Sequence, residues 1–207
     1  LGYSLGGNAL LKWLGEQGAA APLVASVAVS VPFDLAAATA RLARGFSRIY
    51  ERRLLNCLKR SLAQKQAVMD LPWRHEDIAA ITSLREFDER ITAPLHGFKD
   101  VQDYYAKSSS RQYLKNIRTP TLILHAADDP FMTEQAIPDT DELSDSIRLE
   151  LSRHGGHVGF ITGRYPWRAV YWLEQRITGF LDHELAQRAA HAARKEVTLP
   201  TVLYPGS

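Results

Sequence analysis

Apolar positions along the chain fall into two rhythms. At the start, Leu10, Leu11 and Leu14 with Trp13 recur at helical spacing until Gly15 and Gly18 punctuate the pattern. LVASVAVSVP (23–32) is a nearly all-apolar, β-branched run ending in proline, which predicts a buried parallel strand. Over 36–69 the period lengthens. Leu42, Phe46, Ile49, Leu54, Leu58 and Leu62 recur every three to five positions and predict helix, and a polar, mostly helical stretch continues to about residue 115. TPTLILHAADDP (119–130) predicts a second buried strand that ends in acids, and SIRLELSR (146–153) predicts a third, with alternation. YPWRAVYWLEQRITGFLDHEL (165–185) predicts a long amphipathic helix with Trp167 and Trp172 on its buried face. Strands of this kind alternating with helices predict an α/β fold with a mainly parallel sheet. The pattern is consistent with one domain over 1–188 and a C-terminal tail over 189–207. The helical insert at about 36–115 is too long for a simple crossover and is expected to cover something.

Composition changes this picture little. At 207 residues, 45% hydrophobic and 23% charged with a net charge of +2, the chain is long enough for a substantial core, and its charge argues neither for nor against an anionic partner. No apolar run reaches the length of a membrane span. Cys57 is the only cysteine, which excludes an intrachain disulfide and favours a reducing, cytoplasmic setting. The first residue is Leu1, beside a motif, so the natural start is expected to lie upstream.

That motif lies in LGYSLGGNALLKWL (1–14). A phosphate-cradling loop would need a lysine and a hydroxyl residue where Asn8 and Ala9 stand, although Gly2 and Gly7 have its glycine spacing. Gly2, Ser4 and Gly6 instead match G-x-S-x-G, a sharp strand-to-helix turn that exposes the serine. Small neighbours let the chain pass close to itself there. Ser4 would then be a nucleophile, and the N–H of Leu5, at the helix N-terminus, would face a developing oxyanion.

A serine needs a base, and the base needs an acid to hold its tautomer. In a parallel sheet the loops that supply them gather at the C-terminal ends of the strands. The predicted strand at 119–126 delivers Asp128 and Asp129 there, and the strand at 146–153 delivers His154 and His157 in HGGHVGF. The order Ser, Asp, His is that of the α/β-hydrolases. His154 and His157 also read as an H-x-x-H metal pair, but no carboxylate or cysteine stands at ligand spacing, so no metal is expected.

In GYSLGGN (2–8), VSVPFDL (29–35), EFDERITAPLHGF (86–98), DVQDYYAKSS (100–109), HAADDPF (125–131) and GGHVGF (155–160), the chain resembles the YheT-like branch of the α/β-hydrolases. That branch groups bacterial predicted hydrolases with eukaryotic medium-chain esterases and alcohol acyltransferases. The resemblance implies an α/β-hydrolase fold, from the nucleophile elbow onward, with a helical cap. It implies a serine esterase acting on short- to medium-chain carboxylic esters through Ser4, Asp129 and His157. Asp129 is placed by the family's strand-end acid before proline and His157 by its Gly-Gly-His. Asp128 is the second choice, with a turn-capping role, and Asp34 stands where some lipases carry the acid. In the family the elbow follows the middle strand, so several earlier strands, the one before the elbow among them, and the loop with the second oxyanion N–H are expected to be missing, leaving a fragment inactive alone.

No cofactor is implied, and the expected partner is a small-molecule ester. Acyl transfer to an alcohol would use the same acyl-enzyme, and a non-catalytic hydrolase-fold binding protein is the competing class. Arg41, Arg44, Arg48, Arg52, Arg53, Lys59, Arg60 and Lys65 stand against the single acid Glu51 in 41–65. Such a run reads as the solvated side of an amphipathic helix rather than a nucleic-acid site, and it is compatible with peripheral membrane contact. His125, in a predicted strand, reads as a satisfied structural histidine. Tyr104 and Tyr105 read as core or as walls of an acyl pocket.

Overall fold

A computed structural model describes residues 1–162 and 170–197. Its centre is a four-stranded sheet in the order β1-β2-β3-β4, every pair parallel. The strands are β1 (Gly2–Tyr3), β2 (Ser26–Val29), β3 (Thr121–Ala126) and β4 (Ile147–Ser152). The strand expected to be missing before the elbow is thus present as two residues, Gly2 and Tyr3, registered on Ala28 and Val29. Every residue of β2 and β3 is buried, because helices cover both faces.

Side-chain alternation sorts each strand between two cores. Val27, Val29, Leu122 and Leu124 point to one face, where Leu173, Ile177 and Phe180 of α8 (Trp172–Val197) pack on them. Ala28 and Ile123 point to the other, against Leu11 and Leu14 of α1 (Leu5–Gln17) and Leu114. Full burial of one such side chain contributes about 1.5–3 kcal/mol, so the two clusters fix where each strand ends and its loop begins.

Between β2 and β3 lies the helical insert: α2 (Leu35–Leu42), α3 (Arg48–Gln66), α4 (His75–Ala79), α5 (Leu84–Phe87), α6 (Ala93–Leu95) and α7 (Val101–Ser108). It has a small core of its own, with Leu55, Leu62, Ile78, Ile81, Phe87 and Ile91 buried together. The helix expected over 36–69 is broken after Leu42 by a short 3-10 turn, Gly45–Ser47, where Gly45 has φ of 56°. Phe46 and Ile49 consequently sit at a corner, 76% and 58% exposed. Most of the basic run is exposed, but Glu51 is buried and accepts the N–H of Leu84, capping α5 from below.

At the C-terminal end the boundaries differ from expectation. Val170–Tyr171 form a strand, β6, antiparallel to β5 (Ile161–Thr162), and α8 starts only at Trp172. Residues 165–169 of the expected helix, Trp167 among them, lie outside the described residues. Trp172 packs against the α8-side core. The helix also runs on to Val197, past the boundary expected at 188, because the Ala-rich stretch after Leu185 is good helix former.

Candidate active site

The elbow is built by close approach of backbone to backbone. Ser4 has φ of 49° and ψ of −124°, a region that L-residues rarely occupy, and caps α1 while its N–H donates to Val29 O at 2.8 Å. A Cβ on Gly2 would lie 2.6 Å from Gly6 O, and one on Gly7 would lie 2.8 Å from Val31 Cγ2. The third position of the sequence motif, Gly6, would meet nothing within 4 Å. Gly2 and Gly7 are therefore the sterically required pair, and Gly6 is not. Asn8 anchors the start of the helix from the other side. It is buried, its side chain donates to Ser108 O and accepts from Ser110 N–H, both at 2.8 Å.

Asp129 is carried on the turn that follows β3. Its side chain is 1% exposed; Oδ1 accepts the N–H of Phe131 at 2.9 Å, and Oδ2 lies 2.8 Å from His157 Nδ1. His157 Nε2 in turn lies 3.1 Å from Ser4 Oγ. With Nδ1–H donated to the carboxylate, Nε2 is left as the acceptor facing the serine hydroxyl. The Phe131 ring packs against the imidazole at a centroid distance of 4.4 Å and an interplanar angle of 49°.

The loop bearing His157 is held from two sides. Asp128 Oδ1 accepts the N–H groups of Gly155 (2.9 Å) and Gly156 (2.8 Å), and these bonds hold its carboxyl below the usual aspartate range. Ser30 Oγ, at the end of β2, accepts the N–H of Val158 at 3.1 Å from a backbone with φ of 51°. The His154 side chain is 90% exposed, and its ring lies 3.4 Å from Asp128. Asp34 caps α2 by accepting from Ala37 N–H at 3.0 Å. The structure therefore brings Ser4, Asp129 and His157 together, and it gives Asp128, Asp34 and His154 other partners.

Leu5 opens α1, so its N–H is one of the first-turn amides without a partner in the helix, directly beside Ser4. Ser4, Leu5 and His157 line a cavity of about 480 Å³ under the insert. Leu35, Leu42, Leu54, Leu58 and Met132 make its walls largely apolar, and Tyr104 and Tyr105 line it as well. His125 differs from expectation: it is 1% exposed against Phe33, and neither ring nitrogen has a hydrogen-bond partner among the described residues. Burial pushes its pKa down and keeps the ring neutral.

Sequence reasoning missed Ser30, Asn8 and Phe131. Ser30 and Asn8 have no pattern of their own. Phe131 had a weak signal, since it follows the acid by two residues.

A family model described as "alpha/beta hydrolase fold" matches residues 1–164. Among curated proteins, the chain is similar to "Putative esterase YheT" of Escherichia coli (strain K12), at 45% identity over 191 residues, 91% of this chain and 56% of that protein. It is similar to "Phospholipase ABHD3" of Mus musculus at 32% identity, covering 88% of this chain and 46% of that one. It is also similar to "Monoacylglycerol lipase" of Saccharomyces cerevisiae (strain ATCC 204508 / S288c) at 29% identity, covering 87% and 41%. The chain thus spans about half the length of the curated relatives it matches. A crystal structure of Bacillus megaterium epoxide hydrolase in complex with an inhibitor matches at 12% identity and a TM-score of 0.38, covering 89% of this chain and 67% of that one.

Proposed function

The chain belongs to the α/β-hydrolase fold family, and from that premise we propose that it carries the catalytic residues of a serine hydrolase acting on carboxylic esters of short to medium acyl length. The observation that supports this reading is the unbroken contact chain Ser4 Oγ–His157 Nε2 and His157 Nδ1–Asp129, at 3.1 and 2.8 Å. Ser4 Oγ attacks the ester carbonyl while His157 Nε2 takes its proton, and the carbonyl oxygen becomes an oxyanion facing the N–H of Leu5. Asp129 stabilises the imidazolium and holds its tautomer. His157 then returns the proton to the leaving alkoxide, which departs as the alcohol. Water, deprotonated by the same nitrogen, attacks the acyl-serine and releases the carboxylic acid. The apolar walls of the cavity suit an acyl chain.

A fluorophosphonate probe tests the assignment in the full natural protein. It should phosphonylate Ser4, and Ser4→Ala should abolish labelling while His157→Ala slows it by orders of magnitude. Undiminished labelling of Ser4→Ala at another residue would remove Ser4 from the role.

A further inference from the structure

Apart from Ser4 and His157, the largely apolar cavity carries a polar cluster around Asp88, with Tyr50, Arg53 and Cys57 also in its lining, and the hydrogen bonds that Asp88 makes all run in one direction. Asp88 lines the cavity. Its Oδ2 accepts from the Tyr105 hydroxyl and its Oδ1 from the Thr92 hydroxyl, both at 2.8 Å. Thr39 is also in the cavity wall, where its side chain acts to lower the pKa of Tyr105 against the larger raising effect of burial. Asp88 opens a π-helical turn, Asp88–Thr92, in which its backbone C=O accepts the N–H of Ala93, five residues on. Such turns are rare and recur at functional sites, because the inserted residue re-aims side chains that a regular helix would place elsewhere.

A carboxylate offers about four lone-pair sites, and the protein fills two of these. The ion pairs among the described residues do not include Asp88. The hydroxyls of Thr92 and Tyr105 both point their protons at Asp88, so its carboxylate keeps unused acceptor capacity, in a cavity whose lining also includes the cation Arg53. Asp88 is half-buried, and its remaining acceptor capacity in a largely apolar enclosure is better satisfied when a further donor arrives. Burial accordingly raises the pKa of Asp88, against the lowering effect of its two hydroxyl donors.

We propose that Asp88, presented by the π-turn and backed by Tyr105, is a subsite that accepts a hydrogen bond from a free hydroxyl on the ester substrate, so that the substrates are hydroxyl-bearing esters rather than simple alkyl esters. This rests on the hydrolase reading above and adds a substrate class to it. An alkyl isostere would fill the same volume but leave the carboxylate without its donor, which is how a site built around a hydrogen bond rejects an analogue lacking it.

The test uses two matched pairs with the full natural protein. In the first, 2-hydroxyethyl hexanoate and propyl hexanoate place the hydroxyl on the alcohol side. In the second, propyl 6-hydroxyhexanoate and propyl heptanoate place it at the acyl end. Turnover is measured with the wild type, and affinity with Ser4→Ala by calorimetry. The hydroxyl ester of one pair should be preferred by about ten- to a hundredfold in kcat/KM, the range of a hydrogen bond to a charged group. Asp88→Leu should erase that ratio. Asp88→Asn, which keeps the shape and an acceptor oxygen, should reduce it several-fold and serves if the leucine variant does not fold. Equal turnover within both pairs, or a preference that survives Asp88→Leu, overturns the subsite and leaves the hydrolase reading standing. A binding preference on Ser4→Ala without turnover by the wild type supports the subsite and overturns the hydrolase reading instead.

Discussion

Asp128 Oδ1 accepts the N–H of Gly156 at 2.8 Å, one residue before the imidazole whose Nδ1 lies 2.8 Å from Asp129, the next acid in the chain. Two adjacent aspartates thus grip one loop at adjacent points, one by its backbone and one by its ring. Their exposures differ as their tasks do: the Asp129 side chain is 1% exposed and that of Asp128 is 43% exposed. The division of labour makes their substitutions separable.

Asp129→Asn should lower ester turnover by about four powers of ten, since the amide stabilises the wrong imidazole tautomer. Asp128→Asn should cost about 1 kcal/mol of stability through weakened bonds to the loop, with a far smaller effect on turnover. The partial exposure of Asp128 limits any larger electrostatic contribution. Steady-state kinetics at matched folded fraction compare the two. A larger loss in kcat for Asp128→Asn would reverse the assignment.

Ser30 combines an unfavourable φ of 51° with the hydroxyl that accepts from Val158 N–H. Ser30→Ala keeps the backbone strain and leaves that N–H without its acceptor, so it should destabilise by roughly 1–3 kcal/mol. Ser30→Gly loses the same bond but relieves the strain, and should melt at a higher temperature than Ser30→Ala. Thermal melts of the two variants settle the order.

The glycines of the elbow should respond in opposite ways. Gly7→Ala drives a Cβ against Val31, a fully buried β-branched side chain, and should cost about 1–3 kcal/mol. Gly6→Ala enters open space in the first turn of a helix and should be neutral or stabilising by up to about 1 kcal/mol. Equal losses of melting temperature for the two would show that Gly6 is sterically required after all.

Asp88 sets a pH dependence of stability. Its pKa is raised in the folded state by burial, which outweighs the lowering effect of the hydrogen bonds from the Tyr105 and Thr92 hydroxyls. A raised carboxyl pKa means that the folded state binds the proton more tightly than the unfolded one. Its contribution is fully present below the unfolded value near 3.8 and is lost as pH rises through the folded value. Asp88→Asn cannot ionise and escapes that loss. The melting temperature of Asp88→Asn minus that of the wild type should therefore rise as pH increases from about 3.8 toward neutrality. A difference that is flat or falls over that range contradicts the assignment.

Strand and helix assignments were legible where periodicity is strong. The nearly all-apolar run at 23–32 and TLILHA at 121–126 read as strands buried on both faces, as a helix-covered parallel sheet provides, although the strand of the first run is only Ser26–Val29 and Leu23 is exposed. The start of α8 was misread because the apolar positions of VYW fit either period over so few residues. The break after Leu42 was hidden because Gly45 interrupts a pattern that resumes in nearly the same phase.

Local pattern and motif spacing in the sequence pointed to the fold class, to Ser4 at a strand-to-helix turn, and to the strand ends that carry the pairs Asp128/Asp129 and His154/His157, while the choice of Asp129 and His157 came from the family resemblance. Only the tertiary structure decided that Gly7 rather than Gly6 meets a neighbour, that Ser30 holds the histidine loop, and that the buried His125 ring has no hydrogen-bond partner among the described residues. It also decided that Asp88 faces the same cavity as Ser4. The physical reason is common to all four. Each depends on a contact between segments far apart in the chain, such as Ser30 with Val158, and the energy of such a contact depends on the path the whole backbone takes between them.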